Sequence, residues 1–177
     1  VAVPIVVSTV WAGEFVRRLR SHRMEKVGRY EIKAVLGQGA TATVYKAYDP
    51  EIDRAIAIKV LKPEFARNED YRVRFVREAK GAGTLSHSNI VTVFDVGDYE
   101  GLPYIAMEYV EGATLAAWLE RNTRLSIIEA VAFTRQLASA LGFAHKKGIV
   151  HRDVKPGNVM LVHDTQSVKV TDFGICR

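Results

Sequence analysis

Two strand-like runs meet at a glycine-rich turn, and this junction restricts the fold more than any other stretch of the chain. Tyr30, Ile32, Ala34 and Leu36 share one face of a period-two run that ends at Gly37. Gly37-Gln38-Gly39-Ala40-Thr41-Ala42 follows, and its glycines let the backbone approach phosphate groups closely. The spacing G-x-G-x-x-A also suits a dinucleotide-binding turn, but that turn must open a helix. Here Thr43-Val44-Tyr45-Lys46-Ala47-Tyr48 is β-branched, aromatic and alternating, so the loop leads into a second strand. A dinucleotide oxidoreductase is disfavoured on that ground.

Downstream, Ala55-Ile56-Ala57-Ile58-Lys59 ends an apolar strand on a lysine. Such a lysine either meets a buried partner or reaches solvent along its own stem. Residues 69–85 set Tyr71, Phe75, Ala79 and Ala82 at helical spacing, with Glu78 beside the stripe. Residues 91–96 and 102–108 read as strands around a turn at 97–101, and 114–121 as a short amphipathic helix. Ser126-Ile127-Ile128-Glu129 is a capping box. The helix it opens runs to about Lys147, with Ile127, Ala130, Val131, Leu137, Ala138, Leu141 and Ala144 as its apolar positions.

Two denser signatures come next: His151-Arg152-Asp153-Val154-Lys155-Pro156-Gly157-Asn158, then Asp172-Phe173-Gly174. A loop carboxylate can accept the proton of a hydroxyl, and Asn and Asp offer the hard oxygens that Mg²⁺ takes. With the H-R-D-x-x-x-x-N loop, the D-F-G turn, the glycine loop, the A-I-K strand and a helix glutamate in fixed order, the chain resembles the protein kinase family. The resemblance implies an α+β bilobal fold. An antiparallel sheet with one helix would occupy about 30–107, a hinge 108–112, and the start of a helical lobe 113–177.

The resemblance also implies roles. Gly37, Gln38 and Gly39 would cover the ATP phosphates, and Lys59 would neutralise them while pairing with Glu78. Met107 would be the gatekeeper. Backbone groups of Glu108 and Val110 would bond the adenine edge, giving their side chains little weight. Leu36, Val44, Ala57 and Met160 would sandwich the base, although each equally suits a plain core. Asp153 would orient a substrate hydroxyl and take its proton, and Lys155 would stabilise charge on the γ-phosphoryl group. Asn158 and Asp172 would hold Mg²⁺, with Mn²⁺ as a substitute. His151 is expected to pack on Phe173, and His87 to be structural. Arg152 is expected to bind an activation-loop phosphate, which implies regulation by phosphorylation. Ala42 replaces the family's third glycine, which implies altered loop mobility with nucleotide binding retained.

Lys155 in H-R-D-x-K-P-x-N is similar to serine/threonine kinases, where tyrosine kinases place A-A-R or R-A-A. That loop and E-Y-V-E-G-x-T-L look most like bacterial kinases of eukaryotic type. Implied partners are proteins with Ser or Thr hydroxyls, with autophosphorylation and dimerisation, and with membrane association through a region beyond Arg177. The alternative is a nucleotide-binding regulator without catalysis, of pseudokinase type, though no catalytic position is altered.

The net charge of +5 is concentrated, with +4 of it in residues 1–29, so no nucleic-acid binding is read from it. A single cysteine, Cys176, cannot form an internal disulfide and suits a cytoplasmic catalytic domain. It is read as an inert small residue rather than a redox thiol. The apolar run of residues 1–16 is broken by Pro4, Gly13 and Glu14 and is shorter than the ~20 residues of a membrane span. Residues 1–23 are therefore expected to be an extension ahead of a true start at Met24. The resemblance begins near Tyr30 and reaches Arg177. The activation loop, the A-P-E segment and later helices, on the order of a hundred residues, lie outside it. The chain by itself is expected to expose core faces, dissolve poorly and have little or no activity.

Overall fold

The computed structural model describes residues 24–122, 124–163 and 167–173. The readings made for residues 1–23, Gly174 and Cys176 lie outside these described residues.

Period-two runs become strands β1 (Lys26–Val27), β2 (Tyr30–Gln38), β3 (Ala42–Asp49) and β4 (Arg54–Leu61). Two helices follow, α1 (Pro63–Ala66) and α2 (Glu69–Ala82), and then strands β5 (Val93–Tyr99) and β6 (Leu102–Glu108). The strands form one antiparallel six-stranded sheet in the order β1-β2-β3-β4-β6-β5. Alternation along β4 divides its side chains between two faces. Ile56, Ile58 and Val60 join Tyr30 and Tyr104 in one cluster, while Leu61 joins Phe75 and Ala79 of α2 in another. Lys59 therefore points to the face that α2 covers.

Beyond the sheet lie β7 (Gly112–Thr114), α3 (Leu115–Asn122) and α4 (Ile127–Lys146). A 3-10 turn at Pro156–Asn158 then leads into β8 (Val159–Val162) and β9 (Val168–Val170). Strands β7, β8 and β9 make a second, three-stranded sheet. The two parts are joined by a cluster of Ala82, Leu85, Ile90, Ala140, Ala144, Val170 and Phe173.

Several expectations change. The sheet starts at Lys26 rather than Tyr30, with Val27 buried in its core. The single face read for Tyr30, Ile32, Ala34 and Leu36 is interrupted by register shifts between Ile32 and Ala34 and between Val35 and Gly37, which leave Ala34 and Leu36 exposed. Gly97, read as a turn, lies inside β5 opposite Tyr104, where a Cβ would come within 2.5 Å of the Tyr104 ring and only glycine fits. Ala42 opens β3 and is buried with Leu61 and Phe75, so its methyl is part of the core.

The capping box of α4 is present: Glu129 N donates to Ser126 Oγ at 3.2 Å, and Ser126 N donates to Glu129 Oε2 at 2.9 Å. The apolar residues of α4, however, form two stripes. Phe133, Ala140 and Ala144 are buried, whereas Ile127 and Val131, expected to pack, are 84% and 65% exposed. Ala138 is exposed as well. Only the stripe that meets Leu85, Val159 and Val170 finds a core.

Gly112 pairs with Val162 at the join between β6 and the second sheet, and a Cβ there would run into the Leu161 carbonyl oxygen. Gly112→Ala is expected to destabilise the fold by about 1–3 kcal/mol in equilibrium unfolding, the usual cost of overpacking. An unchanged midpoint would contradict this pairing of β7 with β8.

Candidate functional site

Sheet register builds the upper half of the site. Gly37 pairs with Val44, Val44 with Lys59, and Lys59 with Ile105, so the lysine sits next to the glycine turn. Its Nζ donates to Asp172 Oδ1 at 2.7 Å and to Glu78 Oε1 at 3.4 Å. Burial alone would lower the pKa of Lys59, but the carboxylates of Asp172 and Glu78 outweigh it and leave the ammonium raised. Glu78 is also raised, first by burial, which outweighs the lowering effect of the Lys59 ammonium, and then by the negative charge of Asp172. Asp172 adopts φ 55°, a left-handed conformation uncommon outside glycine but one that aspartate tolerates better than most side chains.

The lower half is a braced loop. His151, 1% exposed, donates from Nε2 to Thr171 O at 2.8 Å and accepts from Asp153 N at Nδ1, 3.3 Å away. One neutral tautomer satisfies both bonds. Its ring lies 4.6 Å from that of Phe173, the packing the sequence implied. Asn158 donates from Nδ2 to Asp153 O at 2.9 Å and to Asp153 Oδ2 at 3.0 Å, while Thr171 N donates to Asn158 O at 3.0 Å. Lys155 Nζ is 2.7 Å from Asp153 Oδ2, and both side chains are more than half exposed. The hydrogen bond from Lys155 holds the Asp153 carboxyl below the usual carboxylate range, and Asn158 adds to it. The Asp153 carboxylate is thus favoured in its ionised form and remains half exposed to solvent.

The donor set suits Mg²⁺. With its amide nitrogen committed to Asp153, Asn158 offers Oδ1, and Asp172 offers a second hard oxygen. Among the described residues no cluster of three or more His, Cys, Asp or Glu side chains forms a complete metal cage. Few protein oxygens, with waters and phosphates completing the shell, is the usual Mg²⁺ arrangement.

Apolar walls complete the cleft. Ala57 pairs with Met107, and Val44 lies next to them on the cleft face. Met107, Ile105, Val93 and Phe173 line a recess behind Lys59. Met160 is in β8 opposite Lys169, and Val110 lies between β6 and β7. Leu36 is 47% exposed, and Gly37, Gln38 and Gly39 are exposed at the end of β2.

The expectation that the side chain at Glu108 carries little weight is corrected. Its carboxylate lies 2.8 Å from Lys169 Nζ and accepts from Thr92 N at 3.2 Å. This pair ties the end of β6 to β9, three residues before Asp172. The signal was available in Val168-Lys169-Val170, a lysine within an apolar strand, like Lys59.

The depressed Asp153 carboxyl contributes stability that is present above the ordinary carboxylate range and lost as pH falls through its own lower value. Lys155→Met is expected to move the Asp153 midpoint upward in a carboxyl-carbon NMR titration. An unmoved midpoint would show that Lys155 does not set it.

Residues 30–177 match the family described as the protein kinase domain. A probable serine/threonine-protein kinase of Clostridium acetobutylicum is 46% identical over 149 residues, covering 84% of this chain and 22% of that protein. Serine/threonine-protein kinase PrkC of Bacillus subtilis is 45% identical over 148 residues, covering 84% and 23%. The crystal structure of the Mycobacterium tuberculosis PknI kinase domain superposes with a TM-score of 0.75 at 35% identity, covering 86% of this chain and 62% of that one. The chain thus spans 22% and 23% of the length of these two curated relatives. The convergence of Lys59, Glu78, Asp153, Asn158 and Asp172 on one cleft accompanies these matches. The chain belongs to the protein kinase family, with an α+β kinase fold, and is similar to bacterial serine/threonine kinases.

Proposed function

We propose that this protein is a serine/threonine protein kinase that transfers the γ-phosphoryl group of ATP to hydroxyls of other proteins. The observation that carries the reading is the 2.7 Å contact between Lys59 of the six-stranded sheet and Asp172 beyond β9. A cation and a metal-ligating carboxylate are thereby held at one point between the two parts of the fold. Kinase chemistry relies mainly on positioning and charge stabilisation, and this site supplies both.

Lys59 holds the α- and β-phosphates, kept in place by Glu78. The glycine turn covers them, with Val44, Ala57, Leu36 and Met160 against the adenine and the backbone at Glu108 and Val110 along its edge. Mg²⁺, held by Asn158 and Asp172, supplies charge neutralisation at the phosphates when bound. Asp153 orients the acceptor hydroxyl and receives its proton. Lys155, beside it, places a positive charge where the transferring group arrives. The K-P-x-N continuation of the loop and the names of the relatives both favour Ser and Thr over Tyr. Arg152 is the residue for a phosphate on the activation segment, and the setting is the cytoplasm, where ATP and Mg²⁺ are abundant.

In the full-length protein, Asp153→Asn is expected to lower radiolabelled phosphate transfer by roughly 10²-fold or more, the range for a general base. ATP–Mg²⁺ affinity should change little. Equal transfer by variant and wild type would remove Asp153 from the mechanism.

A further inference from the structure

Helix α2 carries Glu78, yet the apolar stripe is not all that sets its position. The guanidinium of Arg72, one turn into the helix, donates from Nη1 to Gly101 O at 2.8 Å and from Nη2 to Asp98 Oδ2 at 2.8 Å. Nη1 also reaches Ala66 O at 3.4 Å, and Nε lies 3.7 Å from Glu69 Oε2. Asp98 is itself fixed, since its Oδ1 accepts from Gly101 N at 2.9 Å. One side chain therefore joins the end of α1, the start of α2 and the β5–β6 turn.

An isolated surface ion pair is worth little, because two long side chains must be held against water. This cation differs, because it meets a carboxylate and two backbone carbonyls from separate segments, which fixes its direction as well as its distance. Arg72 and Glu78 are about 9 Å apart along the helix axis and point to different sides of it. A clamp on the outer flank thus sets the rotation of the inner one. The inner contact is the weaker half of the lysine's pair of bonds, 3.4 Å against 2.7 Å, so a small outward turn of α2 is enough to break it.

We propose that Arg72 is a positioning residue: clamped on Asp98 and the Gly101 carbonyl, it holds α2 in the rotation that brings Glu78 to Lys59. The inference rests on the kinase reading of the Lys59–Glu78 pair. It does not assign Arg72 any contact with nucleotide.

The test uses the full-length protein with Arg72→Gln, Glu78→Gln and the double variant. Arg72→Gln is expected to lower kcat/KM for ATP–Mg²⁺ about threefold to tenfold in the wild-type background, and less than about twofold once Glu78 is changed. Asp98→Asn should reproduce the loss. Equal losses in both backgrounds, or no loss in either, would overturn the proposal. Hydrogen exchange across residues 72–82 gives a second readout that needs no activity. Arg72→Gln should accelerate it without moving the global unfolding midpoint. Unchanged exchange would reject the clamp even if the wild-type protein transferred no phosphate, a result that would count separately against the kinase reading.

Discussion

A lysine ammonium set among apolar strands is costly unless opposite charge meets it, and this requirement organises the molecule around Lys59. Its two carboxylates come from different places: Glu78 from α2, packed on the sheet, and Asp172 from the chain just after β9. Neither can arrive unless the large sheet, the helix and the small sheet are already in register. The cluster that includes Ala82, Ile90, Ala144, Val170 and Phe173 does this, because it holds residues from α2, α4 and β9 together. Packing therefore positions the charges, and the charges report whether the packing is right.

Strand β9 is tied to its surroundings by side chains as well as by its ladder. Asn89 donates to Gln136 Oε1 and to Val168 O, both at 2.8 Å, while Val168 N donates to the same Gln136 oxygen at 3.0 Å. Val91 N donates to Val170 O at 2.9 Å, and Val170 N donates to Asn89 O at 2.8 Å. Lys169, between them, reaches Glu108 at the end of β6. Leaving one such buried group unpaired would cost about 1–3 kcal/mol, so each bond opposes displacement of the strand. Asp172 and Thr171 follow at once, and Thr171 is bonded to both His151 and Asn158. The positions of Asp172 and of the Asp153 loop are in this way set by one short strand.

Much of this was legible in the sequence. The glycine turn between two strands and the capping box at Ser126 each have a local physical signature and are where they were expected, while the apolar strand read as ending on Lys59 runs on to Leu61 and keeps the lysine inside it. What could not be read depends on partners far along the chain. The bulges in β2 come from pairing with β3, and Gly97 is a strand residue because it pairs with Tyr104, whose ring takes the space a side chain would need. Periodicity found an apolar face on α4 but could not choose between its two stripes, since only the core decides which is covered. The weight of Arg72 was missed for the same reason, and that of Glu108 was legible only through its partner Lys169 within an apolar strand. A charged residue on a strand end or a helix flank has no local mark that separates a solvated side chain from a clamp.

The most direct test of the central contact is a double-mutant cycle in equilibrium unfolding, with Lys59→Met, Asp172→Asn and both together. If Asp172 and Lys59 stabilise one another across the two parts of the fold, the two single losses should exceed the double loss by roughly 0.5 to 3 kcal/mol. Strictly additive losses would mean that the two side chains do not meet, and the convergence on which this account rests would be wrong.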